Sequence, residues 1–318
     1  MTKTMDEDIL RYLRQVVLKT MDRVRSRMRG SDRLLLKIVV ESSFVKDSAN
    51  PTKGIDREAE DLIIQSLLRK LPKMNGVERL AVFSEECGIF THPKDLEPAV
   101  ADWVVFIDPI DGTEFAESLQ GGWCLLALYN RRSNQVEAAV AGDIFLNRLY
   151  WASRNGPAEA LDFVTHSWFK LDGGPQPKKD LTGARVNFLM TKVDRFKAVA
   201  SQDKLLDAIA AAGGRINLAW GSNMIIQVAA GYADAAVEFH KGFATYDILP
   251  GLFIAEQAGL TLLDLEGKEL TSAVDIDEIF AAWKRDSRKP FRTKFVVAKE
   301  ASLARQILGL LHTRETQP

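Results

Sequence analysis

Trp103-Val104-Val105-Phe106-Ile107-Asp108-Pro109-Ile110-Asp111-Gly112-Thr113 carries an apolar run straight into two aspartates spaced three apart, and then into a Gly-Thr turn. The run is rich in Val, Ile and aromatics, the composition of a strand covered on both faces. Carboxylates at the end of such a strand repel one another and lose hydration unless they sit at the strand mouth and share a cation. Pro109 fixes the backbone between them and has no amide hydrogen, so the Ile110 carbonyl can turn toward the same ion without breaking a ladder. Gly112 and Thr113 then open onto Glu114-Phe115-Ala116-Glu117-Ser118-Leu119, whose first amides would point at an anion. Read this way, the stretch is a metal and phosphate site. The plainer reading is an ordinary strand-to-turn exit, since Asp and Gly are common turn formers.

Two further acidic sites favour the first reading. Leu80-Ala81-Val82-Phe83 is a short apolar strand ending in Ser84-Glu85-Glu86-Cys87-Gly88, again with carboxylates at a strand terminus. Far downstream, Thr245-Tyr246-Asp247-Ile248-Leu249-Pro250-Gly251 opens an apolar helix that carries Asp247 near its start. Each of these alone could be solvated surface or a helix cap.

Taken in order, the Glu pair after a strand, Asp-Pro-Ile-Asp-Gly-Thr and the aromatic-Asp pair opening a helix resemble the inositol monophosphatase-like, lithium-sensitive phosphatases. That superfamily includes fructose-1,6-bisphosphatases, 3'(2'),5'-bisphosphate nucleotidases and histidinol-phosphate phosphatases. The resemblance covers nearly the whole chain and implies a layered αβαβα sandwich of mixed α+β and α/β character. It also implies Mg2+ as cofactor, two or three ions per site. The first ion would be held by Glu85, Asp108 and the Ile110 carbonyl, the second by Asp108, Asp111 and Asp247, and a third near Glu85 through water. Glu85, Asp108 and Thr113 would be the catalytic residues, with Thr113 orienting the attacking water. The Gly112 and Thr113 amides would grip phosphate; the plain alternative for Thr113 is a helix cap, and both roles can hold together. Asp111, Asp247, Ser222, Asn223 and Glu238 would complete the substrate contacts, with Glu86, Asn50 and Asp56 behind them.

The upstream element Lys46-Asp47-Ser48-Ala49-Asn50-Pro51-Thr52-Lys53-Gly54-Ile55-Asp56 keeps Lys46, Pro51 and Asp56 of the family pattern. Lys53 stands where the pattern has threonine, and either contacts a second anionic group or points to solvent. Asn50 occupies the position read as supporting the water-orienting threonine. The interval from Glu238 to Asp247 is two residues longer than in typical inositol monophosphatases, which weakens inositol as the substrate; a solvent-facing Glu238 is the alternative.

Composition agrees with an enzyme of this class. The 318 residues, 46% hydrophobic and 27% charged, can bury one large core or two joined ones. No apolar run reaches the length of a membrane span, and the polar, acidic start is unlike a secretion signal, so a cytoplasmic protein is expected. The formal net charge of -1 gives no long-range pull toward nucleic acid or anionic membranes. Cys87 and Cys124 make no disulfide framework. His92, His166, His240 and His312 show no zinc spacing.

Along the chain, amphipathic helices are expected over 7–28 and 55–68, with a strand at 34–43 between them. Strands at 123–129, 136–144 and 148–151 indicate an antiparallel meander. The Gly- and Pro-rich stretch 170–180 is the best place to divide the chain into an N-terminal half, 1–170, and a C-terminal half, 181–318. Beyond it, strands (185–190, 216–220, 233–239, 260–265, 293–298) alternate with helices (203–212, 223–230, the Asp247 helix, 302–311). The expected activity is a magnesium-dependent phosphomonoesterase acting on a small polyol or sugar phosphate. The alternatives are a bisphosphate nucleotidase, fructose-1,6-bisphosphatase or histidinol-phosphate phosphatase, or a catalytically silent regulatory binding protein. A small phosphorylated metabolite is the expected partner, and the resemblance implies a homodimer.

Overall fold

The computed structural model describes residues 7–29, 54–74, 76–85, 88–190, 192–285 and 291–312. The strand expected at 34–43, with Lys46, Asn50, Pro51, Lys53, Glu86 and Cys87, lies outside these residues.

Helix α1 (Glu7–Arg29) buries Ile9, Leu13, Val16, Val17, Met21 and Val24, one stripe at helical spacing. Its first turn holds Glu7 and Asp8 and its last turn Arg27 and Arg29, each sign where the helix dipole favours it. Helix α2 (Gly54–Lys70) packs beside it.

Among the described residues the first sheet has eight strands: β1 (Leu80–Ser84), β2 (Gly88–His92), β3 (Trp103–Asp111), β4 (Trp123–Asn130), β5 (Gln135–Asp143), β6 (Arg148–Ser153), β7 (Glu159–Asp162) and β8 (Ser167–Lys170). Their spatial order is β2-β1-β3-β4-β5-β6-β7-β8, with only β1 and β3 parallel. The expected meander is therefore present and runs one hairpin further than the sequence reading.

The second sheet, from β9 (Arg185–Leu189), β10 (Arg215–Ala219), β11 (Ala235–Ala244), β12 (Thr261–Leu263) and β13 (Arg292–Ala298), has the order β10-β9-β11-β13-β12. Its helices are α4 (Val193–Ala200), α5 (Asp203–Ala211), α6 (Gly221–Ala229), α7 (Thr245–Gln257), α8 (Ile276–Arg285) and α9 (Ala301–Leu310); the short α3 (Thr113–Glu117) follows β3.

The cores sort these elements into five layers. Val105 and Ile107 of β3 face a core with α1 and α2, while Val104 and Phe106 face another core built from α6, α7 and the inner face of the second sheet. The alternation shows a strand buried on both faces. A third core joins the outer face of the second sheet to α5 and α9. The result is the αβαβα sandwich.

Helix α8 escaped the sequence reading, although its signal was present: Asp275 Oδ1 accepts the N–H groups of Asp277 and Glu278 at 3.0 Å, an N-terminal cap. Ile276, Ile279 and Phe280 form its buried stripe.

The α1 layer sits tightly on β5. A Cβ at Gly142 would lie 2.2 Å from Met21 Sδ and 2.8 Å from Val17 Cγ1, whereas one at Gly309 on α9 meets nothing within 4 Å. Gly142→Ala is expected to destabilise the protein by roughly 1–3 kcal/mol through overpacking. Gly309→Ala is expected to be neutral or to stabilise by up to about 1 kcal/mol, as a glycine removed from a helix. Denaturant unfolding of the two variants checks this pair, and equal midpoints would contradict it.

Candidate metal and phosphate site

Parallel pairing of β1 with β3 sets Ser84 opposite Ile107, and the Glu85 N–H continues the ladder to the Ile107 carbonyl at 3.4 Å. Glu85 and Asp108 therefore leave neighbouring strands at the same level. Asp247 enters in the first turn of α7, where its carboxylate accepts the Ala244 N–H at 3.2 Å. One carboxylate oxygen from each of Glu85, Asp108 and Asp247 lies within 4.8 Å of the other two.

Asp111 reaches the same side of the sheet because β3 carries a bulge. From Asp108 to Asp111 the strand takes three steps while its partner β4 takes two, from Leu125 to Trp123. In a regular strand, residues three apart point to opposite faces; the extra residue at Pro109-Ile110 resets the phase. Pro109, which has no donor to lose from a ladder, suits that position. The Asp111 carboxylate then meets the start of α6: Oδ2 accepts the Ser222 N–H at 3.2 Å, and a Cβ on Gly221 would sit 1.7 Å from that same oxygen. Only glycine fits there, at a φ of +47°. Ser222 also donates its hydroxyl to the Asp247 carbonyl, which ties α6 to α7 beside both acids.

Thr113 follows Gly112, whose left-handed conformation (φ 82°, ψ 40°) starts α3. Its hydroxyl lies 3.0 Å from Asp56 Oδ1 and 3.0 Å from the Ile110 carbonyl. One hydroxyl hydrogen serves both acceptors, so any third partner must donate to the Thr113 oxygen. The sequence reading gave support of this threonine to Asn50, which lies outside the described residues; the carboxylate in contact with it is that of Asp56, 2% exposed on α2.

Burial pushes the Asp111 carboxyl up to about 7, and the charge of Glu85 adds to the shift, while the Ser222 N–H and Arg195 oppose it. Burial likewise holds Asp247 well above the usual carboxylate range, with Glu85 and Asp111 reinforcing and Arg292 opposing. The repulsion is thus shared across all three chain segments. An all-oxygen set of mutually repelling acids, Asp108 buried and Glu85 and Asp247 half-buried, fits a hard divalent cation such as Mg2+, and among the described residues no His or Cys joins the group.

A sequence profile described as the inositol monophosphatase family matches residues 5–304. The chain belongs to that family. Compared by sequence with curated proteins, it matches none. Among solved structures it is similar to a Pyrococcus horikoshii protein described as having similarities to inositol-1 monophosphatase (TM-score 0.67, 18% identity, 96% of this chain and 99% of that one). It is also similar to the extragenic suppressor protein suhB of Bartonella henselae (TM-score 0.67, 17% identity, 98% and 100%). A third similar structure is inositol monophosphatase II of Staphylococcus aureus (TM-score 0.64, 16% identity, 95% and 92%). Two further matches are described as SaIMPase-II with 2'-AMP and with inositol monophosphate bound. At these identities the likenesses establish the fold.

Within this family fold, the remaining expected residues differ in their surroundings. Glu238 is 3% exposed, and its Oε1 accepts the backbone N–H groups of His240, Lys241 and Gly242 at 2.8–3.0 Å. The interval between Glu238 and Asp247 contains a wide bulge in β11: five steps from Glu238 to Phe243 face two from Phe295 to Thr293. One oxygen of Glu238 is thereby committed to closing this bulge. Ser222 spends its N–H on Asp111 and its hydroxyl on the Asp247 carbonyl. Asn223 is buried at the start of α6, and its Oδ1 has no hydrogen-bond partner.

The sequence reading gave no role to Trp220, which precedes α6 and stacks on Phe115 with ring centroids 4.0 Å apart and planes at 13°. Arg195 and Arg292 were likewise passed over. They carry no motif and act on the acids only through the folded geometry.

In the cation-free protein, Asp111 has a folded pKa of about 7 against an ordinary 3.8. This raised group favours folding fully below pH about 4 and loses that contribution as the pH rises through about 7. A divalent ion, which requires the carboxylates ionised, relieves that loss. The rise in Tm produced by saturating MgCl2 is therefore expected to be larger at pH 8 than at pH 5 in thermal unfolding. An increment that is equal at the two pH values, or larger at pH 5, would contradict the assignment.

Proposed function

We propose that this protein is a magnesium-dependent phosphomonoesterase that hydrolyses a small polyol or sugar phosphate. The observation that carries the reading is the meeting of Glu85, Asp108 and Asp247 oxygens within 4.8 Å at the junction of the two sheets. The ligands described for the staphylococcal structures support a small phosphate ester as the substrate class.

Phosphate monoester hydrolysis is among the slowest uncatalysed reactions, so charge neutralisation and positioning must supply most of the barrier reduction. Divalent ions held by Glu85, Asp108, Asp111, Asp247 and the Ile110 carbonyl would supply a lowered water pKa and neutralisation of phosphoryl charge. The chain's own groups do the rest. Asp56 and the Ile110 carbonyl compete for the Thr113 hydrogen, which leaves the Thr113 oxygen to accept from a water and aim its lone pair at phosphorus. The Gly112 and Thr113 N–H groups, at the left-handed turn, face the phosphoryl oxygens. Ser222 fixes Asp111 and α7 relative to one another, so the alcohol part of the ester would meet the start of α6 at Ser222 and Asn223.

The same reading includes lithium sensitivity, a homodimer, a cytoplasmic location, and a division into an N-terminal half, 1–170, and a C-terminal half, 181–318.

Phosphate release in MgCl2 is to be measured on inositol phosphates, fructose 1,6-bisphosphate, histidinol phosphate and adenosine bisphosphate. Turnover is expected on at least one of them. Asp108→Asn is expected to abolish it while leaving Tm in EDTA unchanged or higher, because one repelling buried charge is removed. Thr113→Ala is expected to lower kcat roughly a hundredfold or more with little change in KM. Metal binding without turnover of any of the esters would favour the silent regulatory reading instead, and an active Asp108→Asn enzyme would overturn the role given to Asp108.

A further inference from the structure

Trp220 is built into the cleft more tightly than packing alone requires. Its indole lies over the Asp-Gly-Thr turn: a Cβ on Gly112 would fall 2.5 Å from Nε1, and a Cβ on Gly121 would fall 2.4 Å from Cζ2. Gly112 needs its φ of +82° in any case, but no positive φ is recorded for Gly121, so there the absent side chain serves to make room for the ring. Phe115 from α3 stacks on the indole in a near-parallel pair. Three residues of the 112–121 segment are thus fitted to one side chain from the other half of the molecule. The indole Nε1 is buried and has no acceptor, a defect that an aliphatic residue of similar reach would avoid. The next residue, Gly221, is pressed against the Asp111 carboxylate, so the ring cannot shift without disturbing the acid site. Trp220 therefore stands where the Asp-Gly-Thr turn meets the start of α6, next to the Asp111 carboxylate.

We propose that Trp220, clamped by Phe115, is the specificity-determining residue of this cleft, a fixed aromatic wall that limits the alcohol portion of the phosphate ester to a compact, single-ring or smaller group. The proposal rests on the phosphatase reading and adds to it the size of the substrate. A rigid wall acts by exclusion, so it lowers kcat/KM for a bulky ester while leaving the hydrolytic groups unchanged. Trp220→Phe keeps the wall and removes the N–H; Trp220→Val removes the wall.

The test is the ratio of kcat/KM for inositol 1-phosphate to that for 2'-AMP, in MgCl2, for the native protein and both variants. The native ratio is expected to favour the compact ester, to fall by about tenfold or more in Trp220→Val through a lower KM for 2'-AMP, and to persist in Trp220→Phe. A ratio unchanged within about twofold in a folded Trp220→Val protein overturns the proposal, since differences of that size are not exclusion. Should Trp220→Val fail to fold, Trp220→Leu carries the same comparison. If no ester is hydrolysed by the native protein, the phosphatase reading falls separately, and calorimetric binding of the same two esters in MgCl2 decides the wall. Preference for the compact ester that Trp220→Val removes supports it, and equal effects on both esters overturn it.

Discussion

Carboxylates from three distant segments are driven together where two sheets and a pair of helices meet, Asp108 buried and the others half-buried, and their charges repel. That repulsion is the constraint around which the interior is arranged. Asp108 is 2% exposed, and Asp111 and Asp247 hold their protons above the ordinary carboxylate range because of burial and of the charge of Glu85, with Asp111 adding to the shift of Asp247. Such acids are relieved either by holding protons or by a cation bound among them. Stability and the proposed chemistry therefore draw on one interaction: the charge density that weakens the fold at high pH is what would let a divalent ion bind there.

The backbone devices around the site serve that arrangement. The bulge at Pro109-Ile110 turns Asp111 to the face that Asp108 occupies. Gly221 lets α6 approach Asp111 closer than any side chain would allow, and Ser222 locks α6 to the first turn of α7. The wider bulge in β11, closed on the Glu238 carboxylate, sits just before Asp247 and fixes how that strand enters α7. Each device is local, but each sets the position of an acid that has a partner a hundred or more residues away in sequence.

What was legible in the sequence follows from this. A doubly covered strand such as β3 advertises itself by its unbroken apolar run, and carboxylates at its end are conspicuous because burial penalises them. Glu85 and Asp108 could be picked out for that reason, Asp247 from its place at the opening of an apolar helix, and the alternation of strands and helices after residue 185 pointed to the second sheet. Asp56 was assigned only a supporting place because an acid in the first turn of an amphipathic helix also suits the dipole; its contact with Thr113 depends on how α2 docks on β3. Glu238 reads in the sequence as a substrate contact or a solvent-facing acid, from its place on the strand before the Asp247 helix; that its carboxylate turns back onto its own strand depends on the shape of the bulge. Trp220 and Phe115 gave no signal, since an aromatic beside a glycine is ordinary until the fold stacks the two rings.

Crystals of the protein grown in MnCl2, with anomalous differences collected at the manganese edge, test the arrangement most directly. The expected map has at least one manganese peak within bonding distance of Glu85, Asp108 and Asp247 together, with Thr113 and Asp56 beside it. Peaks confined to surface carboxylates, or those three side chains directed into separate regions of the molecule, would contradict it.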